Sequence, residues 1–282
     1  MFTNNLLAGK RILITGGGTG LGKSIGRRYA ELGASLVICG RRGAMLAQAA
    51  QELRDELGTH VETHVCDVRD ATAVEAMMST IWLGGPLDVL VNNAAGNFLA
   101  RTERLSPRAV DAVIDIVLKG GAYCTIAAGR RWIDEGRSGT VLYILTQSAL
   151  VGAPFTTPSA MAKAGLVAMI KSLAVEWGPK GIRLVGVVPG PFPTEAAWSQ
   201  LMPPERHGTP PEAGVALRRL GRHHELADLC TFLVSDNAGF ITGETVLIDG
   251  GKMLQGAAGT SAATMQGWPD SIWESIRQRG KE

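Results

Sequence analysis

The feature that most constrains the fold is a repeated alternation of two patterns. Short, nearly continuous apolar runs recur along the chain: RILIT (11–15), ASLVIC (34–39), VETHVC (61–66), LDVLVN (87–92), GTVLYIL (139–145), IRLVGVV (182–188) and ETVLID (244–249). They are rich in Val, Ile and Leu, as strands are when both faces are buried. Between them stand stretches such as GKSIGRRYAELG and GAMLAQAAQELRDELG, with apolar residues at helical spacing and a closing Gly. Buried strands separated by helices form parallel crossover units. The expectation is an α/β chain: a single doubly wound Rossmann-type domain over residues 1–282, with an about seven-stranded parallel sheet and helices on both faces. No linker divides it.

Two stretches leave the pattern. Residues 191–222 are proline-rich and weakly periodic. They follow a strand's carboxyl end, where such sheets bind ligands, so a substrate lid is expected, with a surface excursion as the alternative. The tail, 252–282, contains WPDSIWESIRQRGKE, which reads as a short helix with Ile272, Trp273 and Ile276 on one side. Packing against the same subunit or a neighbour is the expected role.

The balance of charge is mild, +2 over 282 residues. Neither a nucleic-acid partner nor a membrane surface is expected from so weak a field. No apolar run is expected to reach the roughly 18 residues of a membrane span. Cys39, Cys66, Cys124 and Cys230 lie far apart and form no CxxC pair. They read as small buried hydrophobes in a reducing compartment. His223 and His224 stand together in a polar stretch and are expected to be exposed. MFTNNLLAGK shows no signal-peptide pattern and RGKE is no peroxisomal tripeptide, so a cytoplasmic location is expected.

The first strand runs into TGGGTGLGKSIG (15–26). Gly16, Gly20 and Gly22 allow a tight turn and close approach to a pyrophosphate, with Thr19 and Leu21 between them. The helix that follows offers free N–H groups and the positive end of its dipole. Strand before and helix after make this a dinucleotide loop rather than an idle glycine-rich turn. The second strand ends in CGRRG. An acid there would read a ribose 2′-hydroxyl; Arg41 and Arg42 instead suit a 2′-phosphate, so NADP(H) is expected over NAD(H). Two solvated surface arginines are the alternative.

TGGGTGLG, CDV (66–68), NNAAG (92–96), Lys163 and PGPFPT (189–194) together resemble the short-chain dehydrogenase/reductases. The match spans about residues 8 to 252. The resemblance implies that Asp67 touches the adenine and that Asn93 and Ala94 line the cofactor. It implies further that Lys163 holds the nicotinamide ribose, with Pro189, Gly190, Phe192 and Thr194 around the carboxamide end. A closer likeness runs the length of the chain. TGGGTGLGK, CDVRD, NNAAGNF, TERLSP, DIVL, PSAMAKAG, KSLAVEW and PGP look like the NADPH-dependent 2,4-dienoyl-CoA reductases. That subfamily has a serine where the wider family has its tyrosine, as Ser159 stands here. The likeness implies catalytic roles for Asn97, Ser159 and Lys163, and contacts from Arg69, Phe98 and Ser106 to an acyl-CoA. It also implies a homotetramer. The chain departs from the mitochondrial members at Ser148, where they carry a second tyrosine, and at Gln200, where they carry an arginine. Val117 replaces the wider family's helix asparagine, as in the mitochondrial type.

The chemistry explains why the missing tyrosine matters. Reducing a ketone leaves an alkoxide that must be protonated. A phenol near a cation is a workable acid, whereas a serine hydroxyl is far weaker. Hydride addition to a conjugated thioester instead drives charge onto the thioester oxygen. That oxygen needs hydrogen-bond donors, and carbon is protonated later. Asn97, Ser159 and Ser148 can donate, and Thr146 is a further candidate. Lys163 lies one helical turn from Ser159 on the same face. Each has an ordinary reading too: Asn97 as a loop brace, Ser159 as a helix cap. Lys119 is expected at the surface and Tyr143 in the core. The leading expectation is an oxidoreductase that passes hydride from NADPH to a 2,4-dienoyl-CoA in unsaturated fatty acyl breakdown. A trans-2-enoyl-CoA reductase, another short-chain reductase, or an NADP(H)-binding protein without turnover are the alternatives.

Overall fold

The computed structural model describes residues 2–195, 210–257, 265 and 267–279. All seven expected strands form: β1 (Arg11–Thr15), β2 (Ser35–Gly40), β3 (Val61–Val65), β4 (Val89–Asn92), β5 (Gly139–Ile144), β6 (Ile182–Pro189) and β7 (Thr245–Ile248). They make one parallel sheet in the order β3-β2-β1-β4-β5-β6-β7. Its registers pair Ile14 with Ile38 on one side and with Val91 on the other. Strand order reverses direction between β1 and β4. At that switch point the loops diverge and leave a crevice beyond the carboxyl ends.

The connecting helices are α1 (Gly20–Glu31), α2 (Gly43–Leu57), α3 (Ala71–Leu83), α4 (Pro107–Ile114), α5 (Gly120–Asp134), α6 (Ser148–Val151), α7 (Thr157–Trp177), α8 (His223–Val234), α9 (Lys252–Ala257) and α10 (Asp270–Arg279). Local chemistry sets several starts. Asp70 caps α3 by accepting the Thr72 and Ala73 N–H groups at 2.8 and 3.1 Å. Ser106 caps α4 in the same way through Ala109, with Pro107 inside the first turn. Between α4 and α5 the ladder slips by one residue, and Asp115–Lys119 forms a π turn. Lys119 is exposed there and pairs with Asp115 at 2.8 Å, the surface position expected for it.

Side chains alternate across the sheet and feed two cores. Ile12, Ile14, Leu36, Ile38, Val89 and Val91 pack under α1, α2 and α8. Leu13, Val37, Leu90, Val141, Tyr143 and Leu184 pack under α3, α5 and α7. Both faces are covered, which explains the continuous apolar runs. All four cysteines are free and buried.

One expectation needs correction. Pro107–Asp134 and Thr157–Lys180 are helical runs long and apolar enough to cross a bilayer. Charged residues at helical spacing break them up in sequence, so no unbroken run is visible. Half of the most apolar 18-residue stretch of the first, and 44% of that of the second, is buried inside this fold. Of the expected lid, residues 196–209, Gln200 among them, lie outside the described residues. Of the expected tail helix, Asp270–Arg279 is helical, and Ile272 and Trp273 on it are exposed.

Candidate active site

The crevice at the switch point is a cleft of about 1100 Å³. It draws side chains from the carboxyl ends of the strands, from Thr19 and Leu21 after β1 to Lys252 after β7. It divides into a half along β1 to β3 and a half along β4 to β7.

The first half is built by backbone. Thr19 stands before α1 without capping it by its side chain, so the first-turn N–H groups stay available to a ligand. Gly16 adopts φ +67°, a left-handed conformation that favours glycine. A Cβ on Gly22 would lie 2.5 Å from Asn93 Nδ2 and 2.6 Å from the Gly16 carbonyl oxygen. Gly20 and Gly22 thus shape the turn without themselves lining the cleft, which Gly16, Thr19 and Leu21 do. Asn93 is a brace as well as a liner: its amide donates to the Thr15 carbonyl at 2.9 Å, and the Asn93 and Ala94 N–H groups both bond Thr15 Oγ1 at 3.0 Å. Arg41 and Arg42 follow β2, line the cleft and are exposed. Asp67 lines it too, but its carboxylate is held by the Arg69 side chain at 2.5 Å. That bond keeps Asp67 below the usual carboxylate range.

The second half is built by side chains. Asn97 follows β4, and its Oδ1 accepts the Phe98 N–H at 2.9 Å. This leaves the amide NH2 as a donor. Ser159 and Lys163 sit one turn apart on α7, and both are buried, 4% exposed each. Thr156 stands at the cap position, so Ser159 is not the cap that its residue type allowed. Among the described residues, no side chain hydrogen-bonds its hydroxyl. Lys163 Nζ donates to the Ile144 carbonyl at the end of β5. Burial pulls its ammonium down to about 8. Pro189, Gly190, Phe192 and Thr194 line the wall after β6.

Other expected residues fall elsewhere. Ser148 opens α6 behind the cleft wall, with its Oγ 2.5 Å from Thr146 Oγ1; Thr146 is the one that lines the cleft. Arg69 lies on Asp67, Phe98 packs against the second core, and Ser106 caps α4; none of the three lines the cleft. Tyr143 is wholly buried, its hydroxyl 2.6 Å from Thr125 Oγ1. Burial raises its phenol well above the usual range. Sequence reasoning missed Lys252; Pro210, Pro211 and Gly214, which also line the cleft, fall within the stretch 191–222 read as a lid. The run IDGGK just after the last strand was the available signal for Lys252. His223 also departs from expectation: it is half-buried and bonded at both ring nitrogens.

The glycine turn, the uncapped helix start and the buried lysine suit a nicotinamide dinucleotide, whose diphosphate would sit on α1 and whose ribose would meet Lys163. Comparison with known proteins agrees. The family profile described as Enoyl-(Acyl carrier protein) reductase matches residues 16–252. A Caenorhabditis elegans protein named probable 2,4-dienoyl-CoA reductase 3 is 40% identical, over 96% of this chain and 89% of its own. A Bacillus subtilis protein named probable 2,4-dienoyl-CoA reductase is 38% identical, over 87% of this chain and 97% of its own. A solved Burkholderia cenocepacia gluconate 5-dehydrogenase, in complex with NADP and tartrate, superimposes with a TM-score of 0.82 at 29% identity, covering 89% of this chain and 98% of that one. The chain belongs to the short-chain dehydrogenase/reductase family. Within that family its relatives at about 40% identity include proteins named 2,4-dienoyl-CoA reductase, and it is an oxidoreductase with a nicotinamide cofactor.

Proposed function

We propose that the chain reduces 2,4-dienoyl-CoA esters with NADPH. One observation carries this reading. Among the described residues, the cleft's reacting half presents neutral donors and a buried lysine, and no tyrosine lines it. Tyr29 and Tyr143 are fully buried, and Tyr123 packs into the second core. A site without a phenol lacks the acid that alkoxide formation demands, but it can hold an enolate.

Bound NADPH supplies a hydride. The residues of the chain do the rest. The Asn97 amide and the Ser159 hydroxyl donate to the thioester oxygen as it gains charge. Lys163 holds the ribose and keeps the site positive. As hydride adds at the remote end of the diene, the electron pair moves through the conjugated bonds to that oxygen. The pair returns when a carbon takes a proton from water, and an enoyl-CoA leaves. Thr146, with Ser148 behind it, is placed to orient that water.

NADP(H) is favoured over NAD(H) because Arg41 and Arg42 follow β2 at the cleft and are exposed, and no acid stands at the end of that strand. Exposed Ile126, Met161 and Val175 on α5 and α7 support assembly with further copies as a homotetramer. The four buried free thiols suit a reducing, cytoplasmic setting. The test is a nicotinamide absorbance assay with 2,4-dienoyl-CoA and trans-2-enoyl-CoA, each with NADPH and NADH. Oxidation of NADPH by the dienoyl ester is the expected result. NADPH binding without oxidation by either ester would remove the enzymatic reading.

A further inference from the structure

Residues 221–223 grip the loop that lines the cleft after β6. The loop leaves the sheet at Pro189 and carries Phe192 and Thr194 into the cleft wall. The grip has three parts. The Gly221 N–H donates to the Pro191 carbonyl at 3.1 Å. The Gly221 backbone lies against the Phe192 ring, where a Cβ would stand 2.4 Å from the ring edge. His223 Nε2 lies 2.6 Å from the Pro193 carbonyl. Three successive loop residues are therefore held by two residues, Gly221 and His223, at the entry to α8.

His223 does more than hold the loop. Its Nδ1 lies 2.8 Å from Ser24 Oγ, one turn inside α1. The Pro193 carbonyl can only accept, so Nε2 carries the ring proton. Nδ1 of that tautomer accepts the Ser24 hydroxyl, whose alternative partner, the Gly20 carbonyl, is more distant at 3.2 Å. The imidazole thus joins the helix that begins at the phosphate turn to the loop at the opposite end of the cofactor's span. The two pieces also approach directly: a Cβ on Gly20 would lie 3.6 Å from the Thr194 methyl. Beneath them α1 and α8 are fastened by Arg28 and Asp228 at 2.7 Å. The Arg219–Glu225 pair and the Arg222 N–H bond to Glu225 fix the start of α8.

We infer that His223 is a positioning residue that sets the nicotinamide-side loop at a fixed distance from the phosphate helix. It lets one rigid cofactor engage both ends of the cleft at once. This rests on the dinucleotide reading of the cleft. Without the strap, the loop would have to be ordered at the moment of binding, and that cost falls only on ligands long enough to touch it.

The experiment compares a full dinucleotide with a fragment. NADPH and 5′-AMP are titrated by calorimetry against the wild type, His223→Ala, His223→Gln and Gly221→Ala. The expected result for His223→Ala is an NADPH Kd raised about tenfold, the scale of one lost positioning bond, with 5′-AMP affinity unchanged. His223→Gln restores a donor toward Pro193 and should recover most of the loss. Gly221→Ala wedges Phe192 and should show the same split while leaving His223 in place. If His223→Ala does not fold, the other two variants carry the test. Unchanged NADPH affinity, or equal losses for NADPH and 5′-AMP, would overturn the inference. Failure of the 2′-phosphate reading shows separately, as a wild type that prefers NADH; the dinucleotide-to-fragment comparison is then made with NADH.

Discussion

The two halves of the cleft reach recognition by opposite means. Along β1 to β3 the ligand would meet backbone amides, glycines without side chains, and two exposed guanidinium groups. Along β4 to β7 it would meet the buried Ser159 hydroxyl and Lys163 ammonium and the half-buried Asn97 amide, each carried by a helix or loop. The first half suits a ligand that brings its own charge. The second suits a charge that exists only during reaction, because donors held by the fold are already oriented when that charge appears. Substitutions of the first half's arginines should therefore change affinity, and those of the second half's donors to the reacting oxygen should change rate.

The largest expected effect falls in the second half. Asn97→Ala should lower kcat by about 10²–10³-fold, the cost of one oxyanion donor, with NADPH affinity kept. Stopped-flow rates beside binding titrations check this. A rise in KM with kcat intact would break the contrast.

Next comes Lys163. Its folded value, about 8, lies below the ordinary 10.5 because burial disfavours the ammonium. Between those values the unfolded chain holds more protons than the folded one. Stability of the cofactor-free protein should therefore rise with pH through that window, and the burial cost is fully present below it. Lys163→Met should remove this slope, a change of up to about 3 kcal/mol across the window. Urea denaturation at several pH values measures it; an unchanged slope would mean that the ammonium is better solvated than its position implies.

A smaller shift is expected in the first half. Arg41→Ala with Arg42→Ala should weaken NADPH by about 10- to 100-fold, as for charge-assisted bonds, and leave NADH almost unaffected. Equal losses would defeat the 2′-phosphate assignment. The smallest effect belongs to Tyr143→Phe. Losing the bond to Thr125 should cost about 1 kcal/mol of stability, with kcat unchanged. A large fall in kcat would make Tyr143 a hidden participant.

The same contrast explains what could be read in the sequence. The sheet, the glycine turn and the arginine pair depend on short-range spacing, and all stand where their spacing placed them. So does the Ser159–Lys163 turn of α7. Contacts across long separations were not legible. Nothing near His223 points to Ser24 or Pro193. Side-chain direction was not legible either: Arg69 stands two residues from Asp67, and its position alone does not say that the guanidinium turns back onto that carboxylate. The one-residue slip at Asp115–Lys119 leaves no mark in an otherwise helical pattern. Thr146 and Ser148 both had suitable spacing; only the fold shows which one lines the cleft and which stands behind it.

The central claim is that the reacting half holds an enolate and cannot serve an alkoxide. It is tested most directly by offering 2,4-dienoyl-CoA and 3-oxoacyl-CoA of equal chain length and measuring kcat/KM for each with NADPH. The account predicts a preference for the dienoyl ester of at least about 10²-fold, the lower end of what a general acid supplies. Equal values, or a preference for the oxo ester, would contradict it.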